Sequence, residues 1–164
     1  MKKILMITTG GTLACGETEN GLAPKFSADE ILSYIPEVRT FCDVDTLCVS
    51  NIDSTNVTIK HWQMMVKAIE DNYEKYDAFV ITHGTDTLAY TSSALSYMIQ
   101  NSKKPIVLTG SQKPIKDKDT DAKINLLDSF IYASDDNSYG VSVVLRRHIT
   151  QAMRLACDKR SDYP

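Results

Sequence analysis

Strand-forming runs alternate with helix-like patterns along the whole of this chain. Runs typical of strands are found at residues 3–9, 41–50, 77–82, 105–109 and 140–145. Between them, apolar residues recur at spacings of three and four, which predicts helices at residues 28–35, 59–73, 87–100 and 124–132. Because parallel strands need helical crossovers, the alternation predicts the α/β class, with a mostly parallel sheet in a three-layer α/β/α arrangement.

One helix start and one helix face are marked by particular residues. Ser27 and Glu30 form the Ser-x-x-Glu pattern of a capping box, in which each side chain bonds the backbone N–H of the other residue. We therefore expect the first helix to begin at residue 28. The periodic apolar positions of the helix at residues 59–73 include Trp62, and we expect this side chain and the neighbouring methionines to lie in the core.

Length and charge narrow the class of protein. The chain has 164 residues, 43% of them hydrophobic, which suits a single domain with a buried core. The net charge of −3, without a block of like charges, argues against nucleic acid and anionic membranes as partners. The longest apolar stretches are far shorter than the roughly 20 residues that span a bilayer. The apolar run after Lys2 and Lys3 ends too early for a signal peptide, so a cytoplasmic protein is expected.

The cysteines and histidines form no metal-binding or disulfide pattern. The cysteines are Cys15, Cys42, Cys48 and Cys157, at separations of 27, 6 and 109 residues. These separations fit no zinc or disulfide framework, and the histidines are equally scattered. The sequence predicts free cysteines, no metal site and no cofactor.

Loops rich in hydroxyl groups follow three of the predicted strands. They are Thr-Thr-Gly-Gly-Thr at residues 8–12, Asp-Ser-Thr at 53–55 and His-Gly-Thr-Asp-Thr at 83–87. Ligands of parallel α/β sheets bind beyond the carboxyl ends of the strands, so we expect these loops to converge on one site. Glycines let backbone amides approach an oxyanion, and a threonine hydroxyl becomes a nucleophile once a base takes its proton.

Taken singly, each loop also has a purely structural interpretation. Gly-Gly-Thr and Asp-Ser-Thr are common in turns, and the third loop is suited to the start of a helix. Phosphate binding is the other chemical interpretation of a glycine-rich loop between a strand and a helix. The sequence contains neither of the nucleotide-binding glycine patterns, which argues against a nucleotide site.

Four motifs, taken together and in order, carry a family resemblance. They lie at residues 7–14, 51–55, 79–91 and 105–112. In this combination the sequence resembles the amino-terminal domain of the bacterial L-asparaginases, specifically their cytoplasmic type I branch. The resemblance implies the asparaginase amino-terminal fold over residues 1–164 and hydrolysis of L-asparagine to L-aspartate and ammonia.

The resemblance implies catalytic roles for three residues. Thr12 corresponds to the threonine that attacks the side-chain amide and forms a β-aspartyl ester, which water then hydrolyses. Thr85 corresponds to a second threonine that helps in proton transfer. Asp86 corresponds to the aspartate that holds the α-amino group of the substrate.

The resemblance also implies a substrate-binding pocket. Its residues are Gly11, Asp53, Ser54, Thr55, Gly84 and Ser111. An α-ammonium group needs a carboxylate, which Asp53 or Asp86 can supply, and an α-carboxylate needs donors such as the hydroxyl of Ser54. Gly11 and Gly84 would keep the pocket narrow and offer amides to the oxyanion.

The sequence departs from the family pattern at several positions. Cys157 takes the place of the lysine that completes a Thr-Lys-Asp triad, and Lys159 lies two residues further on. Leu22 stands where many members have a lid tyrosine, and residues 146–147 are Arg-Arg where relatives have a turn resembling Asp-Gly. Family chains continue into a smaller carboxy-terminal domain. The alternative hypothesis is therefore a weak or inactive domain that only binds an amino acid or a partner chain.

The expected partners follow from the same resemblance. The substrate would be a small zwitterion, L-asparagine, with L-glutamine left open because pocket depth decides between them. A homo-oligomer is expected, since the face that meets the second domain should be apolar. Amidation chemistry on tRNA is another use of this fold, and the lack of a basic face argues against it.

Overall fold

The computed structural model describes residues 1–18, 21–24 and 26–152. Its strands are β1 (Lys2–Gly10), β2 (Cys15–Thr18), β3 (Gly21–Pro24), β4 (Cys42–Ile52), β5 (Ala78–Thr82), β6 (Pro105–Thr109), β7 (Gly140–Leu145) and β8 (His148–Gln151). Its helices are α1 (Ala28–Ser33), α2 (Ile59–Asn72), α3 (Leu88–Met98) and α4 (Ala122–Ser134). Short 3₁₀ turns occupy Thr12–Ala14, Pro36–Thr40 and Ser54–Asn56.

The main sheet has the strand order β4-β1-β5-β6-β7-β8. All neighbouring strands are parallel except β7 and β8, which are antiparallel. The interior strand β1 pairs on both sides, with Ile4 opposite Val44 of β4 and opposite Ala78 of β5. The predicted α/β class with a mostly parallel sheet is confirmed.

Both faces of the sheet are buried, because successive side chains of a strand point to opposite sides. On β1, Ile4 and Met6 belong to the core half that contains α1 and α4, whereas Leu5 and Ile7 belong to the half that contains α2 and α3. Burying each such side chain stabilises the fold by about 1.5–3 kcal/mol. The three-layer arrangement is thus built by near-continuous apolar strands between two layers of helices.

The first helix begins as predicted and ends slightly earlier. The Ser27 and Glu30 side chains form the complete capping box, with the Ser27 N–H donating to the Glu30 carboxylate at 2.7 Å. The prediction extended this helix to residue 35, but α1 ends at Ser33. Pro36 disfavours the helical conformation at the residue before it, and a 3₁₀ turn follows instead.

The prediction that Trp62 and the methionines of α2 lie in the core is only partly correct. Met65 is fully buried, but Met64 is 38% exposed and Trp62 is half-buried. One residue turns a helix by about 100°, so Met64 falls outside the apolar stripe that includes Met65. The indole N–H of Trp62 donates to the hydroxyl of Thr91 at 3.0 Å, which explains why the ring lies at the edge of the core.

Two antiparallel additions were not predicted. The hairpin of β2 and β3 follows the first strand-end loop, and β8 returns along β7 at the edge of the sheet. The four residues of β8 are exposed or half-buried, so they carry no apolar run that sequence patterns can detect. Among the described residues, no helix is both long and apolar enough to cross a membrane.

The turn between β7 and β8 has an unfavourable sequence. Arg146 and Arg147 adopt φ angles of 48° and 64°, and Leu145 pairs directly with His148. Two positive φ angles in a two-residue hairpin favour Asn-Gly. Replacing the pair with Arg146→Asn and Arg147→Gly is expected to raise the free energy of unfolding by about 1–2 kcal/mol, because the strain at both positions is relieved. Urea denaturation measures this change.

The control for this prediction is the double variant Arg146→Gln and Arg147→Gln. It removes both charges but keeps both β-carbons, so the backbone strain remains. We expect it to unfold close to the parent midpoint. An equal gain in both double variants would show that charge, and not the backbone conformation, limits the stability of this turn.

Candidate active site

The loops that follow β1 and β5 touch through two glycines. A Cβ atom built on Gly11 would lie 2.5 Å from the backbone nitrogen of Gly84 and 2.6 Å from its Cα. Gly11 also has a φ angle of 81°, a conformation that side-chain-bearing residues rarely adopt. Thr12 and Thr85 come directly after these glycines, so both threonines begin from adjoining points of the backbone.

The loop after β4 joins the same point. A Cβ atom built on Gly84 would lie 2.6 Å from both Cβ and Oγ of Ser54. The hydroxyl of Thr87 donates to the carbonyl of Ser54 at 2.8 Å, and the Gly11 N–H donates to the carbonyl of Ile52 at 3.3 Å. The three loops therefore converge on one edge of the sheet, as predicted.

The loop after β6 packs beside Thr85. A Cβ atom built on Gly110 would overlap the His83 carbonyl and lie 3.4 Å from Cγ2 of Thr85. Ser111, expected to line the pocket, is 1% exposed and donates its hydroxyl to the carbonyl of Lys113 at 2.6 Å. Its hydroxyl hydrogen is thus committed to holding its own loop.

The three residues with expected catalytic roles differ in exposure. Thr12 opens the 3₁₀ turn after β1 and is half-buried, as is Thr85, whereas Asp86 is exposed. None of the three side chains hydrogen-bonds to another residue within 1–18, 21–24 and 26–152.

Asp53 is organised by its own loop. Its Oδ1 accepts hydrogen bonds from the Thr55 amide at 2.8 Å and the Thr55 hydroxyl at 2.7 Å. These two donors, the amide first, lower the pKa of the Asp53 carboxyl group. Asp53 is exposed and ionised at neutral pH, so it can attract an ammonium group.

Ser54 presents a buried hydroxyl without a partner. The residue is 3% exposed, and its Oγ has no hydrogen-bond partner in the described part of the chain. A buried polar group in this condition is unusual, because leaving it unpaired costs about 1–3 kcal/mol. The Oγ atom lies against Gly84, at the junction of the loops, where a donor to a ligand carboxylate was expected.

A buried histidine supports the junction and was not singled out by the sequence patterns. His83 is 1% exposed; its Nδ1 lies 2.8 Å from the Gly84 carbonyl and its Nε2 lies 3.0 Å from the Thr91 hydroxyl. Because a carbonyl only accepts, Nδ1 carries the proton and Nε2 accepts from Thr91. Burial lowers the pKa of His83, which keeps the ring neutral in this arrangement.

Asn125 of α4 is a second support that sequence patterns did not reveal. It is fully buried; its amide donates to the Gly110 carbonyl at 2.8 Å, and its oxygen accepts from the Arg146 N–H at 2.8 Å. The polar residue within an apolar helix face was a usable signal for such a role. Asn125 thereby fixes the fourth loop relative to the β7–β8 turn.

One cysteine bonds to the loop that carries the expected nucleophile. The thiol of Cys15 donates to the carbonyl of Gly11 at 3.3 Å. Burial and, secondly, the charge of Asp53 raise the pKa of this thiol, so it stays protonated. No group of three His, Cys, Asp or Glu residues that could hold a metal ion occurs in the described ranges.

Fold and site together define an α/β domain with a hydroxyl- and carboxylate-lined site where the strands of its parallel sheet end. The chain belongs to the asparaginase amino-terminal domain family: the family model described as Asparaginase, N-terminal matches residues 3–160. The position of Cys157, where the sequence departs from the family pattern, lies outside the described residues, as does Lys159; Leu22 lies in β3, and its side chain is outside the description.

Individual relatives agree with the family. The L-asparaginase of Thermococcus kodakarensis is 44% identical over 132 residues, which are 80% of this chain and 40% of that protein. L-asparaginase 1 of Escherichia coli strain K12 is 37% identical over 142 residues, 82% of this chain and 41% of that protein. The solved structure of the thermostable Thermococcus kodakarensis L-asparaginase superimposes with a TM-score of 0.84 and 40% identity, over 92% of this chain and 46% of that one. This chain thus spans less than half of these relatives.

Proposed function

We propose that this chain is the amino-terminal, nucleophile-bearing domain of an L-asparaginase-type amidohydrolase of the type I branch. The observation that carries the proposal is the contact of Gly11 with Gly84, each of which is followed directly by a threonine, Thr12 and Thr85. A glycine-rich junction of this kind brings a hydroxyl nucleophile, a second hydroxyl and backbone amides within reach of one amide group. Membership of the asparaginase family supports the choice of reaction.

The proposed chemistry has two steps. The hydroxyl oxygen of Thr12 attacks the side-chain amide carbon of L-asparagine, its proton passes to the leaving nitrogen with the help of Thr85, and ammonia departs. Water then attacks the resulting β-aspartyl ester, which restores the Thr12 hydroxyl and releases L-aspartate. Backbone amides at the Gly11–Gly84 junction would stabilise the oxyanion in both steps.

The substrate would be held by its α-groups. The ionised carboxylate of Asp53 and the exposed carboxylate of Asp86 are the candidates for the α-ammonium group. The unpartnered hydroxyl of Ser54 is the candidate donor to the α-carboxylate, which would satisfy a group that is otherwise left without a hydrogen bond. Thr55 contributes by holding Asp53 in place.

Release of ammonia and aspartate from L-asparagine by the purified chain tests the proposal. The Thr12→Ala variant, prepared in parallel, serves as the blank for asparaginase carried over from the expression host. Activity of the parent above this blank supports the proposal, and equal rates of the two proteins contradict it. L-glutamine, assayed in the same way, decides the preference between the two amides.

Binding without turnover is the competing proposal, and it rests on Cys157. A thiol supplies neither the positive charge nor the donors of the ammonium group that family members have at this position. Cys157→Lys is expected to raise kcat about 10²-fold, the contribution typical of a positioned proton-transfer partner. The measurement is ammonia release, with Cys48→Lys, at an exposed cysteine of β4, as the matched control.

No gain from Cys157→Lys would show that the residue at position 157 does not by itself limit turnover. In that case the parent should still bind L-aspartate, which calorimetry can detect without turnover. Residues of the family's second domain, and of a partner copy of the chain in a homo-oligomer, are the further groups that we propose for this site.

A further inference from the structure

A series of hydrogen bonds joins helix α2 to the loop that carries Thr85. The indole N–H of Trp62 donates to the hydroxyl of Thr91 at 3.0 Å, and this hydroxyl lies 3.0 Å from Nε2 of His83. Nδ1 of the same ring lies 2.8 Å from the Gly84 carbonyl. Three contacts thus connect α2, α3 and the loop after β5. We call these four residues, Trp62, Thr91, His83 and Gly84, the His83 network.

The direction of each bond in the His83 network follows from the chemistry of its groups. An indole N–H only donates and a backbone carbonyl only accepts, so both ends of the network are fixed. Nδ1 of His83 carries the proton that bonds to the Gly84 carbonyl, which leaves Nε2 of the neutral ring as an acceptor. The Thr91 hydroxyl therefore accepts from Trp62 and donates its hydrogen to Nε2. The neutral ring with its proton on Nδ1 satisfies all three contacts.

The His83 network lies mostly in the interior. His83 is 1% exposed and Thr91 is fully buried, whereas Trp62 is half-buried. Removing one contact therefore leaves its partner unpaired in a buried position, which is unfavourable. The backbone of His83 is fixed separately, because its N–H donates to the Thr109 carbonyl at 2.8 Å. What the network adds is a constraint on the next residue, Gly84.

The bond from His83 sets the orientation of one peptide group. The Gly84 carbonyl belongs to the peptide that joins Gly84 to Thr85. This peptide is trans and planar, so its C=O and N–H point in opposite directions. The carbonyl is turned toward the buried ring, and the Thr85 N–H consequently points away from it. Gly84 has no β-carbon to restrict its backbone, so the orientation of this peptide depends on such contacts.

We propose that Trp62 and Thr91 are positioning residues: acting through His83, they hold the Gly84–Thr85 peptide so that its N–H faces the site. This assignment rests on the proposed function, in which Thr85 and the backbone amides of the junction take part. An oxyanion forms only after the ground state, so an amide that stabilises it affects kcat more than KM. A half-buried side chain of α2 is thereby linked to the rate of the reaction.

NMR spectroscopy of the 164-residue chain tests the network without turnover. Trp62 is the only tryptophan, so its indole N–H gives a single peak. Thr91→Val keeps the shape of the side chain and removes the hydroxyl, and we expect it to shift both this peak and the Thr85 amide peak. Ser92→Ala is the matched control, because Ser92 is fully buried in the same helix and donates to the Ala89 carbonyl at 3.0 Å. It should shift neither peak.

Trp62→Phe is a second variant, which acts at the far end of the network. It keeps an aromatic ring at a half-buried position and removes the N–H donor, so it is expected to fold and to shift the Thr85 amide peak less than Thr91→Val does. Circular dichroism melting checks the folding of each variant. A Thr85 peak that moves in neither variant overturns the proposal, as does an equal shift in Ser92→Ala.

Steady-state ammonia release from L-asparagine measures the role of the network in the reaction. We expect Thr91→Val to lower kcat about tenfold and to change KM less than about twofold. Thr91→Ser keeps the hydroxyl and should stay within about twofold of the parent kcat. An unchanged kcat in Thr91→Val, or an equal loss in Thr91→Ser, overturns the positioning role and leaves the proposed function intact. A parent no more active than Thr12→Ala contradicts the proposed function instead, and the Thr85 amide peak then decides the positioning role.

Discussion

Gly11→Ala is expected to lower the free energy of unfolding by about 3 kcal/mol or more, among the largest effects of a single substitution in this chain. The added methyl group would lie 2.5 Å from the nitrogen of Gly84, which is backbone and cannot rotate away. The backbone angles of Gly11, φ 81° and ψ 173°, are almost confined to glycine and add about 1–3 kcal/mol of strain for any residue with a β-carbon. Urea denaturation followed by circular dichroism measures the loss.

Gly140→Ala is the matched control for this substitution. Gly140 also has a positive φ angle, 67°, but a Cβ atom built there meets nothing within 4 Å. We expect this variant to lose only about 1 kcal/mol, the contribution of backbone strain alone. Similar losses for Gly11→Ala and Gly140→Ala would mean that the two loops separate easily and that their contact is not a fixed part of the site.

Thr12→Ala is expected to reduce ammonia release from L-asparagine by about 10³-fold or more, because removing a nucleophile leaves only the contributions of binding and oxyanion stabilisation. The same substitution should change the free energy of unfolding by less than about 0.5 kcal/mol. Thr12 is half-buried and its hydroxyl bonds to no other described residue. The steady-state rate and the urea midpoint together separate a chemical role from a structural one.

Thr12→Ser provides the conservative comparison. It keeps the hydroxyl oxygen and removes only the methyl group, so it should retain measurable turnover where Thr12→Ala retains none above background. If Thr12→Ala retains as much activity as Thr12→Ser, the hydroxyl is not the attacking group. A loss of stability in Thr12→Ala that accounts for the lost rate would also contradict the assignment.

The sheet could be predicted because its strands carry their information locally. Residues 4–7 and 78–81 are apolar without alternation, which is the pattern of strands buried on both faces. The edge strand β8 could not be predicted, since pairing with β7 places it, not its own composition. The prediction that Met64 lies in the core was wrong for a related reason. Met64 is next to the core residue Met65 on the helix, but its own side chain lies outside the core.

The site was predictable to the extent that its loops have distinctive motifs. Gly-Gly-Thr and His-Gly-Thr-Asp-Thr end neighbouring strands, so their convergence follows from the topology. The hydrogen-bond partners of His83 and Asn125 could not be predicted, because they are far away in sequence or depend on the direction of a ring nitrogen. Asn125, for example, bonds a turn that lies 21 residues later.

The contact of Gly11 with Gly84 limits how this domain can diverge by single steps. A side chain gained at Gly11 overlaps Gly84, and one gained at Gly84 overlaps Ser54, so a neighbouring loop would have to shift at the same moment for either change to survive. The β7–β8 turn has no such contact. It already contains Arg146 and Arg147, in a backbone conformation that suits neither residue. We therefore expect substitutions to accumulate first at the β7–β8 edge of the sheet. They should come last at the Gly11–Gly84 contact, where the parallel strands end.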